Sequence, residues 1–117
     1  LAGADALNNT FITNHYSAGD SDKKVQDFVK AFKAEYEDKS PDAFAALGYD
    51  SAYFIADAIK RAGSSDPKKI KEAMAKTDDL LLVSGKLKLD ENHDPIKSAV
   101  ILEFKGGEQV FNTKVNP

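Results

Sequence analysis

The stretch SPDAFAALGYDSAYFIADAIKRAG, residues 40–63, is the longest helix signal in the chain. Ser40 can accept hydrogen bonds from free backbone N–H groups, Pro41 has no N–H at the first helical position, and Asp42 favours the positive end of a helix. Basic residues in the last turn, followed by Gly63, suit the carbonyl end. The sequence therefore predicts a helix over residues 41–62 with Ser40 as its cap.

The interior of this predicted helix is apolar on almost every side. A helix that is apolar all round is normally buried. We therefore expect it to be central to its layer and packed on more than one side. Small contact surfaces are offered by its alanines, among them Ala43, Ala45, Ala46, Ala52, Ala56 and Ala58.

Two shorter helices are predicted on either side of it. The first runs from Asp22, with Asp20 or Ser21 as the expected cap. The second starts at Asp66-Pro67 and continues to about Lys76. Apolar residues at helical spacing define the inner face of the first: Val25, Phe28, Val29, Phe32 and Tyr36.

One early strand and several late strands are predicted around these helices. Because three helices separate them and carry more apolar surface than one strand can cover, we expect an incomplete α/β layered fold whose remaining sheet lies outside this chain. The predicted strands cover residues 10–14, 80–83, 86–89, 99–104 and 109–113, with a hairpin turn at 105–108.

Composition excludes several classes of protein. The 117 residues include 16 basic and 19 acidic side chains, no Cys, and only one Arg, Arg61. Disulfides, thiolate zinc sites and cysteine nucleophiles are therefore excluded, and nucleic acid is a poor partner for an acidic chain with so few guanidinium groups. The chain has room for one domain or part of one, and its start without Met suggests a piece of a longer protein.

Catalytic and metal-binding patterns are weak. His15, Ser17 and Asp20 are too close in sequence to favour triad geometry, and no oxyanion-hole motif accompanies them. The run Asp90-Glu91-Asn92-His93-Asp94 matches the first three ligand positions of a calcium loop, but Pro95 replaces the turn Gly and Ile101 the closing Glu. We therefore predict a polar turn, and neither a metal nor a cofactor.

The first half of the long helix carries the best candidate for a binding site. Phe44 and Tyr49 lie five residues apart with Gly48 and alanines around them. One interpretation is core packing alone. The other is an apolar pocket at the helix N-terminus, where the first turn also offers partial positive charge to a ligand carboxylate.

Five stretches resemble the substrate-binding proteins of branched-chain amino-acid ABC transporters. Together they run through nearly all of the chain, and Gly48-Tyr49-Asp50 is followed at the family's spacing by a Gly-x-x-x-x-Asp-x-Asn pattern that starts at Gly85. The family usually has Gly where this chain has His93, which leaves the turn type open. The stretches are residues 11–17, 28–36, 41–52, 58–63 and 83–92.

This resemblance implies a type I periplasmic-binding-protein fold, in which ligand sits between two three-layer α/β/α lobes joined by crossover strands. The chain resembles only the last third of such a protein, so both lobes are incomplete. Residues 1–14 would form a second-lobe strand and crossover. Residues 15–90 would supply helices and a strand of the first lobe, and residues 91–117 the return crossover and second-lobe strands.

The resemblance also implies a function. The whole protein would be the extracytoplasmic solute-binding component of an ABC importer, in the periplasm or lipid-anchored at the outer face of the membrane. It would bind leucine, isoleucine or valine by lobe closure, without catalysis or cofactor, and deliver it to the permease. In the family an aromatic residue at the position of Phe44 packs on the ligand side chain, and Tyr16 and His15, near the crossover, are weaker candidates.

Other functions stay open at this stage. An amide or urea receptor, or a sensory ligand-binding domain, would share the fold. A hydrolase using His15 and Ser17, or a free-standing α/β interaction module, would be a different class of protein. Because the chain should expose strand edges and apolar helix faces, we expect it in isolation to associate, to swap elements with a second copy, or to need the rest of its own chain.

Overall fold

The computed structural model describes residues 3–117 and contains three helices between one early and five late strands. A short 3₁₀ helix, Ala4–Leu7, precedes them. The strands are β1 Phe11–Asn14, β2 Leu80–Leu82, β3 Gly85–Leu89, β4 Pro95–Ile96, β5 Ala99–Lys105 and β6 Glu108–Val115; the helices are α1 Lys23–Glu35, α2 Ala43–Ala62 and α3 Pro67–Ala75. The predicted helices and strands are confirmed, whereas β4 and the 3₁₀ helix were not predicted.

The strands form two separate antiparallel sheets. One has the order β1-β5-β6 and the other β2-β3-β4. The chain leaves the β1-β5-β6 sheet after Asn14 and returns to it at Ala99. The residues between these two points contain all three helices and the β2-β3-β4 sheet. The β5–β6 turn is the predicted hairpin, in which Gly106 and Gly107 both take positive φ angles.

The helix ends correct two predicted caps. The cap of α1 is Asp22, not Asp20 or Ser21, because the Asp22 side chain accepts a hydrogen bond from the Lys24 N–H while Asp20 itself accepts from the Asp22 N–H. Similarly α2 begins at Ala43, not residue 41, and is capped by Asp42 instead of Ser40. The Asp42 carboxylate accepts from the Ala45 N–H at 2.8 Å.

The C-terminal end of α2 is joined to α3 by the single arginine. Gly63 takes the left-handed conformation expected of a terminal residue, with φ at 59°. Arg61 donates hydrogen bonds to Asp57 in its own helix, to the Ala73 carbonyl and to the Thr77 hydroxyl. Its fork of donors is therefore used inside the protein.

The main hydrophobic core lies where α1, the N-terminal half of α2 and the β2–β3 turn meet. Phe28 is at its centre, with the rings of Tyr16 and Tyr49 at 5.9 and 4.9 Å. Side chains of this kind each contribute about 1.5–3 kcal/mol when fully buried. The buried members are Tyr16, Val25, Phe28, Val29, Ala46 and Val83.

The molecule is more open than a compact domain of its length. Its radius of gyration is 16.6 Å, whereas a compact chain of 117 residues has about 13 Å. Its accessible surface is 7961 Å², against about 6,200 Å² for a compact monomer of 12.7 kDa. The outer face of α2, opposite Asp50, contributes to this excess with Ile55 and Ile59, and its flank contributes Tyr53; all three are exposed.

The prediction that α2 is packed on more than one side is confirmed in part. The helix contacts α1, α3 and β2, but among its side chains only Ala46, Asp50 and Ala58 are buried. The remaining elements in residues 3–117 are too few to cover the outer face. Although α2 has 20 residues, no helix in the part of the chain described here is long and apolar enough to cross a bilayer.

Candidate ligand-binding site

Phe44 is the most exposed large apolar side chain in the described part of the molecule. It sits in the first turn of α2 with 82% of its surface accessible, while its neighbours Ala43, Ala45 and Ala46 pack against the core. The core-packing interpretation therefore does not hold for Phe44 within this chain. The backbone N–H groups of Ala43 and Phe44 precede the first intrahelical hydrogen bond and add partial positive charge at this point.

Tyr16 lies at the same end of α2 but is buried. Only 4% of its surface is accessible, and its hydroxyl has no hydrogen-bond partner among residues 3–117. Burial raises the pKa of Tyr16 to about 12, and the nearby Asp42 carboxylate adds to this shift. The Tyr16 hydroxyl is therefore a neutral donor held near Asp42, the cap of α2.

His15 precedes Tyr16 in sequence, but its side chain is exposed. It borders a cavity of about 250 Å³ together with residues of α2, of the β2–β3 hairpin, of β4 and of the segment after it. The structure thus places Tyr16 near the N-terminal end of α2, where Phe44 lies, and His15 at a cavity that the N-terminal half of α2 also lines. This cavity is lined by His15, Leu47, Asp50, Ser51, Phe54, Leu82, Ser84, Leu87, Pro95 and Lys97.

Asp50 is a residue whose role sequence reasoning missed. It is 4% exposed, and its carboxylate accepts hydrogen bonds from the Val83 N–H at 2.8 Å and the Ser84 N–H at 2.9 Å. It thereby fixes the β2–β3 turn to α2. The available signal was a lone acidic residue inside an otherwise apolar helix, since a buried carboxylate requires partners.

The three residues of the hydrolase alternative are engaged separately. The Ser17 hydroxyl accepts from the Gly19 N–H, and the Asp20 carboxylate pairs with the Lys114 ammonium. Burial raises the pKa of Asp20, but hydrogen bonds from Lys114 and Asp22 outweigh it, so the pKa lies below its ordinary value. None of the hydrogen bonds found in residues 3–117 joins His15 to either partner.

The run from Asp90 to Asp94 is a tight polar turn, as predicted. The Asp90 carboxylate accepts hydrogen bonds from the backbone N–H groups of Asn92 and Asp94, both at 2.8 Å. His93 takes a positive φ of 67°, in the left-handed region that Gly occupies without strain. The backbone at His93 therefore has the conformation that suits the Gly usually found at this position in the family that the sequence resembles.

The sequence pattern that defines the family of periplasmic binding proteins matches residues 1–109. A curated relative is the Leu/Ile/Val-binding protein homolog 1 of Brucella abortus (strain 2308). It is 36% identical over 95 residues, which are 78% of this chain and 24% of that protein.

Many solved structures also match, and two of them show the range of ligands. A leucine-binding protein of Thermotoga maritima is 39% identical with a TM-score of 0.79, covering 97% of this chain and 32% of its own. A solute-binding protein of an ABC transporter from R. palustris, in complex with benzoate, is 29% identical with a TM-score of 0.78, covering 96% of this chain and 31% of its own.

The elements found here are thus those of a type I periplasmic-binding-protein fold, present in part, and the predicted fold class is confirmed. The chain belongs to the periplasmic binding protein family. It spans about a quarter of the curated relative and about a third of the matched structures.

Proposed function

We propose that this chain supplies the Phe44 wall of the ligand cleft in a solute receptor of an ABC importer. The observation that carries the proposal is the 82% exposure of Phe44 above a well-packed core. Leaving a Phe side chain in water forgoes about 1.5–3 kcal/mol of burial. A ligand that covers this ring recovers that free energy when it binds.

We further propose that the two sheets belong to two lobes. The β1-β5-β6 sheet would be second-lobe structure, and the three helices with the β2-β3-β4 sheet would be first-lobe structure. The topology supports this division, although the β3–β4 pairing favours a boundary at residues 97–98 instead of residue 90. Closure of the lobes about the crossovers would bring second-lobe groups towards Phe44.

The proposed ligand is an aliphatic amino acid of the leucine, isoleucine and valine class. The names of the Brucella and Thermotoga proteins support it. Phe44 suits an apolar side chain, and the free N–H groups of the first turn of α2 suit a carboxylate. The benzoate complex of the R. palustris protein favours an aromatic carboxylate as the second candidate, because benzoate has the same two features.

Titration of the full-length receptor tests both ligands. Calorimetry with leucine, isoleucine, valine and benzoate should give saturable binding of the aliphatic amino acids. Phe44→Ala should weaken it by about 1–3 kcal/mol, which is about 5- to 150-fold in Kd. Ile59→Ala is the matched control, since it removes an apolar side chain about 22 Å away on the same helix and should leave the Kd unchanged whether or not this side chain is covered in the full-length receptor. An unchanged Kd in the Phe44 variant would remove this residue from the site.

The same proposal includes no catalytic role, an extracytoplasmic location and a membrane permease as partner. It also holds that the 117-residue chain alone self-associates through its uncovered surfaces. The mass of the native gene product tests whether the chain is part of a longer receptor. A value roughly three times 12.7 kDa supports a receptor of the relatives' length. A product near 12.7 kDa that melts as a monomer would favour the interaction-module alternative.

A further inference from the structure

Hydrogen bonds between three polar residues link α2 to the segment that connects the two sheets. Asp50 on α2 holds the backbone of Ser84 in the β2–β3 turn, and the Ser84 hydroxyl accepts a hydrogen bond from the Lys97 ammonium at 3.0 Å. Ser84 is itself buried. We call Asp50, Ser84 and Lys97 the polar clamp.

The turn inside the clamp has little freedom to move. Gly85, next to Ser84, has a positive φ of 114°, and a Cβ atom there would lie 3.0 Å from the Ser98 hydroxyl. The segment 97–98 therefore packs directly against the turn on one side, while the Asp50 carboxylate holds its backbone from the other. Because close-packed groups move together, a displacement of residues 97–98 must shift the turn or break the clamp.

Lys97 is held in place by its surroundings as well as by its hydrogen bond. Burial lowers the pKa of Lys97, and the negative charge of Asp50 opposes that shift. Residues 97–98 are also the only residues between β4 of one sheet and β5 of the other. The clamp thus joins the connection between the sheets to the helix whose first turn carries Phe44.

We propose that Asp50 and Lys97 are positioning residues that couple rotation at the connection between the sheets to the placement of α2 and Phe44. This inference rests on the proposed function, because it assigns the clamp a part in lobe closure. A ligand that favours one orientation of α2 then favours one arrangement of the lobes, and the coupling free energy contributes to its affinity.

The test replaces Lys97 in the full-length receptor and uses L-leucine as the probe. Lys97→Met keeps the length of the side chain and removes its charge, and Lys97→Arg keeps the charge. Lys88→Met is the matched control, since Lys88 on β3 is exposed and pairs only with the exposed Asp78. Kd and the midpoint of thermal unfolding without ligand are measured for each variant.

Lys97→Met is expected to raise the Kd about fivefold or more, with the unfolding midpoint within about 2 °C of wild type. Lys97→Arg should restore binding and Lys88→Met should leave it unchanged. A Kd within twofold of wild type in Lys97→Met, an equal loss in Lys88→Met, or a loss explained by a lowered unfolding midpoint would each overturn the proposal.

Failure of the proposed function is distinguishable from failure of the clamp. If the wild-type receptor binds none of the titrated ligands, the proposed function fails. The clamp is then judged by hydrogen exchange without ligand. Lys97→Met should speed amide exchange about fivefold at residues 43–47 of α2 as well as at Val83 and Ser84, whereas an effect confined to the turn would show that the clamp does not reach the helix.

Discussion

The two faces of α2 differ in composition and in what covers them. The inner face presents small or polar residues, Ala46, Asp50 and Ala58, and is buried against the rest of the chain. The outer face, opposite Asp50, presents the larger apolar residues Ile55 and Ile59, which are exposed, while Tyr49 and Tyr53 lie on the flank, where the Tyr49 ring packs on Phe28. Large hydrophobic groups of this helix are thus left on a face that the chain itself does not cover.

This difference indicates which contacts the 117 residues complete by themselves. On the inner face, alanines allow close approach, and each acceptor of the Asp50 carboxylate has a donor. On the outer face, Ile55 and Ile59 are exposed. Large apolar groups exposed together are typical of an interface, because isolated soluble domains rarely expose large apolar patches. The relatives, of which this chain spans a quarter to a third, have the additional chain that could cover it.

We expect the largest effect on the free energy of unfolding from a substitution in the core beneath α2. Phe28→Ala should lower the free energy of unfolding by about 3–5 kcal/mol, because the ring contacts Tyr16, Phe32 and Tyr49 and its removal leaves a cavity. Denaturant unfolding measures it. Phe11→Ala, at a position 59% exposed on an edge strand, is the control and should cost less than about 1 kcal/mol in this chain. Equal costs at both positions would remove the distinction between core and surface.

The outer face should respond to the length of the protein studied. Ile55 is 47% exposed in this chain, so Ile55→Ser should change the free energy of unfolding by less than about 0.5 kcal/mol here. In the full-length receptor it should cost about 1.5–3 kcal/mol, because the side chain becomes buried. Glu72→Ser on α3 should have little effect in either. The same small effect of Ile55→Ser in both proteins would mean that the outer face stays in water.

Sequence patterns predicted most of the fold, because the helices and strands are encoded by local periodicity. Val25, Phe28, Val29 and Phe32 define α1 by spacing alone, and all four face the core. Tyr36, the fifth residue of that spacing, was wrongly placed on the inner face, because the helix ends at Glu35 and Tyr36 is 52% exposed. The caps were misplaced by one or two residues, since Asp20, Ser21 and Asp22 are equivalent by propensity and only the fold decides which carboxylate meets the free N–H groups. β4 was not predicted, because it has only two residues, one of them Pro, and so carries no strand pattern.

The site was harder to predict, because its contacts are remote in sequence. Asp50 meets partners 33 and 34 residues further along the chain, a separation that no local pattern encodes. Phe44 was selected through the family resemblance, and its exposure could not be read from a helix that carries apolar residues on almost every side. Its role and those of Tyr16 and His15 stay predictions.

A substitution at Tyr16 tests whether the core of this chain is complete without additional residues. Its buried hydroxyl has no partner within residues 3–117, so Tyr16→Phe should raise the free energy of unfolding of this chain by about 1 kcal/mol. Wild type should also lose stability as the pH rises from about 10 towards 12, because Tyr16 and Tyr49, whose pKa values are both raised to about 12, ionise first in the unfolded state. The Phe variant should keep only the part of this loss that Tyr49 causes. A destabilised variant of the full-length receptor would show that the missing segment supplies the partner.

We expect the smallest effect on the free energy of unfolding at His93, which lies on neither face of α2 and serves as a reference for the other predictions. His93 has a φ of 67°, a conformation that costs a non-glycine residue roughly 1–2 kcal/mol. Gly avoids that cost but loses about 0.5–1 kcal/mol through the greater freedom of the unfolded chain. His93→Gly should therefore raise the free energy of unfolding by about 0.5 kcal/mol, equally in this chain and in the full-length receptor, as measured by denaturant unfolding. His93→Ala keeps the strained backbone and should give no gain, so a gain in both variants would assign the effect to the lost imidazole instead of to the turn.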